Sequence, residues 1–350
     1  MELLSVTMND GVKPRSEIEG KDNSSEDKSH YKIVRKGDMV YNSMRMWQGA
    51  NGISPCDGIV SPAYTVLMPK QEINNGYFAA LFKSANLINE FRKNSQGMTS
   101  DTWNLKYPQI ETIKVQIPSV SEQDKVSEMF SVLDERIAAQ SRLVESLKKY
   151  KRGVNNQILS QIDNSYNCRL GSVCEIVGGG TPDTLHAEYW GNTVEWFTPS
   201  EIGKTKYVNN SVRKLSDIGL DNSSAKLLPI GTVLLTTRAT LGEMSIAKRE
   251  CSTNQGFQSL IPHTDRVSSE YLYYMQIIIK PWCEKYASGN TFREISKSAL
   301  SDCIIPIPDR ARQEQIVKLL SSIDMIIDAA ESISMSLSKI RHGLMQQLFI

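Results

Sequence analysis

Apolar positions recur at helical spacing in two long stretches of the chain. From Val126 to Ile158 they alternate spacings of four and three residues, which is the a/d pattern of a coiled coil. The same alternation runs from Ile316 to Leu348. Each stretch therefore predicts a helix of about ten turns, roughly 50–55 Å long for the rise per residue of an α-helix.

The two stretches are copies of one sequence unit. Pro118 and Gln123 superpose without a gap on Pro308 and Gln313, and the register continues to the end of both helices. Two unrelated amphipathic helices in separate cores are the alternative, but they would not be expected to share a register over this length. The chain is therefore predicted to contain an internal duplication.

The duplicated helices are predicted to pair antiparallel along their apolar seams. Full overlap places Gln140 opposite Ser334, so that a polar pair interrupts an apolar seam. In coiled coils such a layer fixes the register at some cost in stability. The residues predicted to pair the helices or to contact a partner are Val126, Phe130, Leu133, Ile137, Gln140, Leu147, Ile316, Leu320, Ile323, Ile327, Ser334 and Leu337.

Shorter segments with frequent glycines precede each helix and predict two irregular α/β domains. In the first domain, residues 2–7, 37–42 and 59–67 are typical of strands, and residues 77–91 have helical periodicity. The second domain repeats this order and has a predicted helix over residues 271–286.

The predicted fold class is α+β, with two pseudo-repeated globular α/β domains joined by two long antiparallel coiled-coil helices. The domains cover residues 1–118 and 162–308, and the helices cover residues 119–161 and 309–350. The first domain lacks counterparts of residues 170–194. It is therefore expected to be truncated at its start or to take the missing strands from elsewhere.

Composition narrows the class of function. Lys and Arg total 40 against 39 Asp and Glu in 350 residues, a formal net charge of +1. A nucleic-acid-binding surface would therefore have to be a local basic patch or be completed by partners. No apolar run reaches membrane length and the polar N-terminus is unlike a signal peptide, which predicts a cytoplasmic protein.

The reactive residue types show no spacing that is typical of a catalytic site. The six cysteines have no C-x-x-C spacing and the four histidines are isolated, which favours reduced core thiols over a metal site. Residues 178–180 are not G-x-G-x-x-G, and Gly203-Lys204-Thr205 lacks the upstream glycine of a P-loop. The chain is therefore predicted to have no catalytic centre, metal or cofactor of its own.

Several motifs in a fixed order carry a family resemblance. In the second half they are residues 178–182 (Gly-Gly-Gly-Thr-Pro), 229–235 (Pro-Ile-Gly-Thr-Val-Leu-Leu), 238–240 (Arg-Ala-Thr) and 254–257 (Asn-Gln-Gly-Phe), together with Trp190 and Trp196. In the first half they are residues 37–42, 44–50 and 58–64, followed by Glu122-Gln123 at the helix start. With these motifs the sequence resembles the specificity subunits of type I restriction-modification systems. It departs from the family at Arg312, where a glutamate usually precedes the glutamine.

The resemblance implies two target recognition domains, each reading one part of a bipartite site in double-stranded DNA. The long helices would space these domains, because ~50 Å exceeds one turn of B-DNA, roughly 34–36 Å. The implied partners are two modification subunits, which are adenine methyltransferases that bind S-adenosylmethionine, and restriction subunits, which are translocases and endonucleases that use ATP and Mg²⁺. The chain itself would be a non-catalytic subunit.

Loop residues that can pair with base edges or phosphates are the candidate DNA contacts. For each of them an ordinary solvated loop position is the alternative, and for the tryptophan the alternative is core packing. The candidates are Arg45, Trp47, Gln48, Asn51, Ser61, Thr99, Lys204, Lys206, Arg238, Asn254, Gln255, Asn290, Thr291, Arg293 and Lys297, with the three lysines expected at phosphates.

Two other functions stay open at this point. A chain that also cuts or methylates DNA would show that activity when purified alone. A truncated scaffold that binds modification subunits without full DNA specificity would act as a decoy, and specific DNA binding by the complex would argue against it. The target bases cannot be read from the sequence, because recognition depends on loop geometry and DNA shape.

Overall fold

Two separate parts of the sequence make up the first structural unit of the chain, and one continuous stretch makes up the second. In the computed structural model, unit 1 comprises Met1–Val144 and Ala329–Ile350, and unit 2 comprises Glu145–Asp328. The structure describes residues 1–8, 11–20, 22, 24–163, 166–238, 240–289 and 293–349.

Unit 1 combines short strands with helices. Its strands form two small sheets in the orders 2-1-6-3 and 5-4-7, and the first strand pairs antiparallel with the second and parallel with the sixth. The elements are β1 (Glu2–Thr7), β2 (Gly11–Pro14), β3 (Lys32–Val34), β4 (Met39–Asn42), β5 (Asn51–Ile53), β6 (Gly58–Val60), β7 (Tyr64–Leu67), α1 (Asn75–Leu81), α2 (Ala85–Asn94), α3 (Tyr107–Ile110) and α4 (Val120–Ser160), of which the part up to Val144 belongs to this unit.

An aromatic core holds the helical side of unit 1 together. Phe130 of α4 stacks on Phe349 with ring centroids 5.9 Å apart, and Tyr77 of α1 meets the same phenylalanine edge-on at 5.4 Å. Phe91 of α2 is buried in the same cluster. Aromatic pairs stabilise a core beyond their buried area, so residues near the end of the sequence complete a core that the start of the sequence begins.

The strands of unit 2 form sheets of five, four and two strands. They have the strand orders 12-15-14-17-9, 10-13-11-16 and 18-8. The elements are β8 (Asn167–Arg169), β9 (Cys174–Gly178), β10 (Trp190–Gly191), β11 (Val194–Phe197), β12 (Tyr207–Val208), β13 (Arg213–Leu215), α5 (Asp217–Asp221), β14 (Val233–Leu235), β15 (Met244–Ala247), β16 (Cys251–Thr253), β17 (Gln258–Pro262), α6 (Ser269–Tyr274), α7 (Gln276–Tyr286), α8 (Lys297–Ser301), β18 (Ile304–Pro306) and α9 (Arg310–Leu348), of which the part from Ala329 belongs to unit 1.

The core of unit 2 lies between its five-stranded sheet and the long helices. Val233 and Leu260 from the sheet, Tyr271 from α6, Ile158 from α4 and Leu320 from α9 belong to one buried cluster. Because both helices contribute to the cluster, the sheet is anchored to the helix pair within this unit.

The two long helices run antiparallel in each unit. In unit 1, Asp134 of α4 pairs with Arg341 of α9, one residue from position 340, which the predicted register places opposite it. In unit 2, Lys151 pairs with Asp324, again one residue from the predicted position. The twelve residues predicted to pair the helices are all buried or half-buried, whereas Leu348 at the end of the predicted seam is exposed. The prediction of two long antiparallel helices is confirmed.

The predicted polar layer has a different bonding pattern. Gln140 Nε2 donates to the backbone carbonyl of Ala330 at 2.9 Å, one helical turn from the predicted partner Ser334. The seam pattern predicts contacts between side chains only. The Gln140 side chain is long enough to reach a backbone carbonyl of the facing helix instead.

Different caps start the two long helices. Before α4, Ser119 N donates to the Glu122 carboxylate at 3.0 Å and Glu122 N donates to Ser119 Oγ at 3.4 Å, which is a capping box. Before α9, Arg312 stands in place of the glutamate, and its backbone N–H donates to the Asp309 carboxylate at 2.8 Å. Asp309 therefore takes the place of Ser119 as the cap acceptor, and Arg312 supplies no counterpart of the Glu122 carboxylate.

The strand predicted over residues 59–67 is divided into β6 and β7. Pro62 has no N–H to donate to a sheet, and Tyr64 N donates to Ser61 O at 2.9 Å to close a turn. The alternation of apolar residues continues across this turn, so the sequence pattern alone did not reveal it.

Both predicted domain helices are also divided. Within residues 77–91, α1 ends at Leu81, and Ser84 caps α2 by accepting from Leu87 N at 3.4 Å. Residues 271–286 separate into α6 and α7 at Met275. Apolar periodicity persists through both breaks, which is why each pair looked like one helix.

Four cysteines are buried in unit 2. Burial raises the pKa of Cys174, Cys251, Cys283 and Cys303 to about 12, so these thiols stay protonated at neutral pH. They pack as apolar core residues. In the part of the chain that the structure describes, no helix has the length and apolar character needed to cross a membrane.

Candidate nucleic-acid interface

Backbone hydrogen bonds join the turns of unit 2 that carry the motifs named in the sequence analysis. Thr237, which follows β14, donates its N–H to Gly256 O at 2.8 Å. Asn254, which follows β16, donates its N–H to Phe197 O, at the end of β11, at 3.1 Å. The turns at residues 198–201, 236–238 and 254–257 are therefore held side by side by backbone bonds, and together they are called here the unit 2 turn cluster.

The glycine-rich segment packs directly against this cluster. Gly180 N donates to Thr253 O at 2.8 Å. A Cβ added at Gly179 would lie 2.1 Å from Asn254 O, which no side chain could tolerate. The glycine motif is therefore explained by close approach of two backbones.

Arg238 carries an exposed charge on the turn cluster. Its Nη2 lies 2.9 Å from Glu294 Oε2, and the two side chains are 45% and 35% exposed. A planar guanidinium at such a position can donate two parallel hydrogen bonds to the edge of a guanine.

Two side-chain amides lie beside it on the turn at residues 254–257. Asn254 Oδ1 accepts from Gly256 N at 2.9 Å, and Gln255 Oε1 accepts from the hydroxyl of Thr181. Within the described ranges, neither NH₂ group has an acceptor. Both amides therefore retain donors that an external partner could use.

The two lysines predicted on this side of unit 2 differ in environment. Lys204 is exposed. Lys206 is half-buried, and its Nζ donates to Tyr274 Oη and Ser321 Oγ, both at 3.0 Å, while lying 4.4 Å from the centroid of the Tyr274 ring. Burial lowers the pKa of Lys206 against the attraction of Asp324. The Lys206 ammonium therefore joins the segment before β12 to α9, and of these two lysines only Lys204 is exposed.

Arg213 is exposed but was not among the candidate DNA contacts chosen from the sequence. Its guanidinium lies 3.4 Å from the centroid of the Trp190 ring and 5.5 Å from that of Trp196. Trp196 is buried and donates its indole N–H to Gly180 O at 3.0 Å, as expected for a core tryptophan. The pattern of apolar and polar residues along β13 does not indicate this stacking, because Trp190 and Trp196 lie on the neighbouring strands β10 and β11.

The remaining unit 2 candidates are close in sequence to the Ser288–Glu294 bridge. Arg293 is exposed and donates to Glu284 O, and Lys297 is exposed at the start of α8. Asn290 and Thr291 lie outside the described residues.

Unit 1 presents its candidates on a tight turn at Met46–Gln48. Arg45 is exposed, while Trp47 and Gln48 are half-buried. Trp47 meets Trp103 edge-on with centroids 5.1 Å apart. The turn ends at Gly49, whose φ of 83° is accessible to glycine at little cost. Arg45 therefore occupies an exposed turn, as Arg238 does in unit 2.

Three further unit 1 candidates have local partners. Asn51 is fully buried and its Nδ2 donates to Gly49 O at 3.1 Å. Ser61 is half-buried in the turn between β6 and β7, and Thr99 is exposed and caps a short helical turn with Thr102. Of these three, only Thr99 is fully accessible from solvent.

Metal-ligating residue types do not cluster among the described residues. Over the ranges that the structure describes, no group of three or more His, Cys, Asp or Glu side chains is placed to hold a metal ion. The chemistry that the turn clusters offer is hydrogen bonding and charge.

Comparison with known proteins supports the resemblance found in the sequence. The family described as the type I restriction modification DNA specificity domain matches residues 6–149 and 162–337. The chain is 34% identical over 186 residues to the type I restriction enzyme MjaIX specificity subunit of Methanocaldococcus jannaschii, covering 52% of this chain and 43% of that protein. It is 25% identical over 234 residues to the type I restriction enzyme EcoR124I/EcoR124II specificity subunit of Escherichia coli, covering 62% of this chain and 57% of that protein.

A solved structure shares the fold. This chain superposes with a TM-score of 0.61, at 22% sequence identity, on a chain of a solved structure. That structure is described as the structural basis underlying complex assembly and conformational transition of the type I R-M system. The superposition covers 93% of this chain and 84% of that one, which confirms the α+β class. The chain spans about half the length of the curated relatives it matches. Because the family match extends over most of the sequence, the chain belongs to the type I restriction-modification specificity family.

Proposed function

We propose that this chain is the DNA sequence-recognition subunit of a type I restriction-modification complex and has no catalytic centre of its own. The observation that carries the proposal is the presence, in each of two pseudo-repeated units, of an exposed arginine on a rigid turn, Arg45 and Arg238. The relatives named above, which are specificity subunits of type I restriction enzymes, support the same function.

In this proposal each unit reads one half of a bipartite DNA site. Residues 1–118 and 162–308 are the target recognition domains, and residues 119–161 and 309–350 are the helices that set their spacing. Arg45 and Arg238 contact base edges, Asn254 and Gln255 add amide donors, and Lys204 and Lys297 contact phosphates.

The long helices offer a surface for protein partners. In unit 2, Leu319 and Ile326 of α9 are 48% and 55% exposed, and in unit 1, Ile333 and Ile340 are 51% and 52% exposed. These residues recur at heptad spacing, which is the pattern that a partner helix recognises. They support the docking of modification subunits, which would carry S-adenosylmethionine. Restriction subunits with ATP and Mg²⁺ would complete the complex.

Selection from a randomised DNA library tests the function. The full chain, purified with its methyltransferase subunit, is expected to enrich two short motifs separated by a fixed spacer. Arg45→Ala should relax one motif and Arg238→Ala the other, each by ~1–3 kcal/mol of discrimination per lost bidentate contact.

The control is Arg169→Ala, which removes an arginine of unit 2 that pairs with Asp302 away from the turn cluster. It should leave both motifs unchanged. A complex that forms but enriches no motif would indicate the decoy function instead. Methyl transfer by the chain alone would contradict the absence of a catalytic centre.

A further inference from the structure

Glu294 is the acidic partner of Arg238, and the proposed function does not account for it. The two residues come from different loops of unit 2, and Glu294 Oε2 lies 2.9 Å from Arg238 Nη2. An acidic side chain beside a DNA-binding surface repels phosphate. Its presence there therefore calls for a compensating role.

We infer that Glu294 is a specificity-determining positioning residue, which holds the guanidinium of Arg238 in the orientation that reads a guanine. The inference rests on the proposed function and goes further by assigning one base type and one supporting side chain. Arginine is the side chain most often paired with guanine, through its O6 and N7 acceptors.

Rigid backbone holds both residues of the pair. Glu294 N and O bond to Ser288 O and N at 2.9 and 3.0 Å. Thr236, two residues before Arg238, donates its N–H to Glu243 O at 2.9 Å, and its side chain bonds to Thr240 O. An ion pair between two fixed loops restricts the long arginine side chain before DNA arrives.

The ion pair leaves most of the guanidinium available. Glu294 engages Nη2, and in the part of the chain that the structure describes no other acceptor bonds to the Arg238 side chain. Because a guanidinium has five N–H donors, two remain for the guanine edge while the carboxylate stays bound. Ordering the side chain in advance lowers the entropic cost of binding.

Unit 1 has the same local architecture without the carboxylate. Its corresponding bridge joins Gln96 and Asn104, with Gln96 N donating to Asn104 O at 3.0 Å. A neutral amide thus stands where unit 2 has Glu294, and among the described residues no carboxylate forms an ion pair with Arg45. Dependence on a positioning carboxylate is therefore specific to the unit 2 half-site.

A competing role makes the opposite prediction. If Glu294 masked Arg238 until DNA binding, removing its charge would tighten binding. If it positions Arg238, removing the charge loosens the choice of base. Both the affinity and the base preference must therefore be measured.

The test compares Glu294→Gln, Arg238→Ala and the double variant in the full chain with its methyltransferase subunit, by selection from a library randomised over both half-sites. Wild type should require a guanine at one position of the unit 2 half-site. Arg238→Ala should reduce that preference by roughly 5- to 150-fold, and Glu294→Gln by about 3- to 10-fold. The double variant should be no worse than Arg238→Ala, because both substitutions remove the same contact.

Asp302→Asn is the matched control, since it neutralises the carboxylate of another surface arginine pair in unit 2. It should leave the guanine preference intact. An unchanged preference in Glu294→Gln, tighter binding with the preference kept, or relaxation of every base of the half-site would overturn the inference while the proposed function stands. If wild type enriched no bipartite motif, the proposed function itself would fail.

Discussion

Gln123 and Gln313 make the same contact at the start of the two long helices. The Nε2 of each donates at 2.9 Å to the carbonyl of the proline five residues earlier. Both side chains are only 1% exposed. The duplication therefore preserves a buried amide and its bond, in addition to the apolar seam.

The other end of each amide reaches a neighbouring helix. Gln123 Oε1 accepts from the backbone N–H of Asn74 at 2.9 Å, and Gln313 Oε1 accepts from that of Ser268 at 3.2 Å. Asn74 and Ser268 are the N-cap residues of α1 and α6. Each glutamine thus links the start of a long helix to the start of a domain helix in its own unit.

Removing one of these amides should be costly. Gln313→Ala leaves the Ser268 N–H and the carbonyls of Pro308 and Arg266 without their partner. We expect a loss of about 2–4 kcal/mol in the free energy of unfolding, because buried polar groups are left unpaired. Urea denaturation measures it, with the exposed Gln315→Ala as control. A loss equal to that of the control would show that the contacts do not stabilise the fold.

The seam should accept an apolar residue at Gln140. Its hydrogen bond goes to Ala330 O, which as a helical carbonyl also has an intrahelical donor. We expect Gln140→Leu to leave the free energy of unfolding unchanged or raise it by about 0.5–1.5 kcal/mol through added apolar burial.

A polar residue placed at the neighbouring seam position Val144 is compared with the apolar residue at Gln140. Val144 is 7% exposed, and Val144→Asn should cost about 1–3 kcal/mol because it buries an amide without a partner. Thermal unfolding of both variants checks the pair. Equal destabilisation by both would mean that Gln140 is required for the seam.

Acid should weaken the contacts that Glu195 on β11 makes with Lys214 and Ser211. Burial alone would raise the pKa of Glu195, but hydrogen bonds from Lys214 and Ser211 outweigh it and hold the pKa below its ordinary value. A carboxylate whose pKa is lowered by folding stabilises the protein above its unfolded pKa, about 4.5, and this contribution is lost as the pH falls through the folded value. We expect Glu195→Gln to be less stable at pH 7 by about 1–3 kcal/mol and to lose this acid dependence.

Denaturation at pH 7 and at successively lower pH gives the comparison. Glu175→Gln, which changes an exposed carboxylate on β9, is the control. The expectation fails if Glu195→Gln and wild type lose stability in parallel as the pH falls.

Specific DNA binding should depend on partners. The net charge of +1 gives the chain little counterion release of its own. We expect weak binding by the isolated chain at physiological salt and a steeper salt dependence once the methyltransferase subunit is present. Titration over a salt series, with and without that subunit, measures both slopes. Nanomolar specific binding by the isolated chain would contradict the expectation.

Long-range periodicity made the helices predictable, whereas short breaks were hidden. The seam runs through Phe130 and Leu320 at regular spacing, so one pattern defined both helices and their antiparallel register to within a residue. The break before α2 depends on the cap hydrogen bond of Ser84, and the break between β6 and β7 depends on the missing N–H of Pro62. A periodic pattern of apolar residues shows neither of them.

Residue type alone was a weaker guide to which candidate residues are accessible. Arg238 and Asn51 were selected by the same reasoning, yet one is exposed and the other is fully enclosed. Arg213 was missed because its stacking on Trp190 needs the sheet order. Which polar side chain faces solvent is set by tertiary packing, and a single sequence carries no direct record of it.

The division of unit 1 into two parts of the sequence has a consequence for the order of folding during synthesis. Domains usually fold from the N-terminal end as the chain emerges. Here the core around Phe130 and Tyr77 cannot close until Phe349 has left the ribosome, whereas every residue of unit 2 has been made once Asp328 is added. The unit whose translation begins first is therefore the one whose core is completed last.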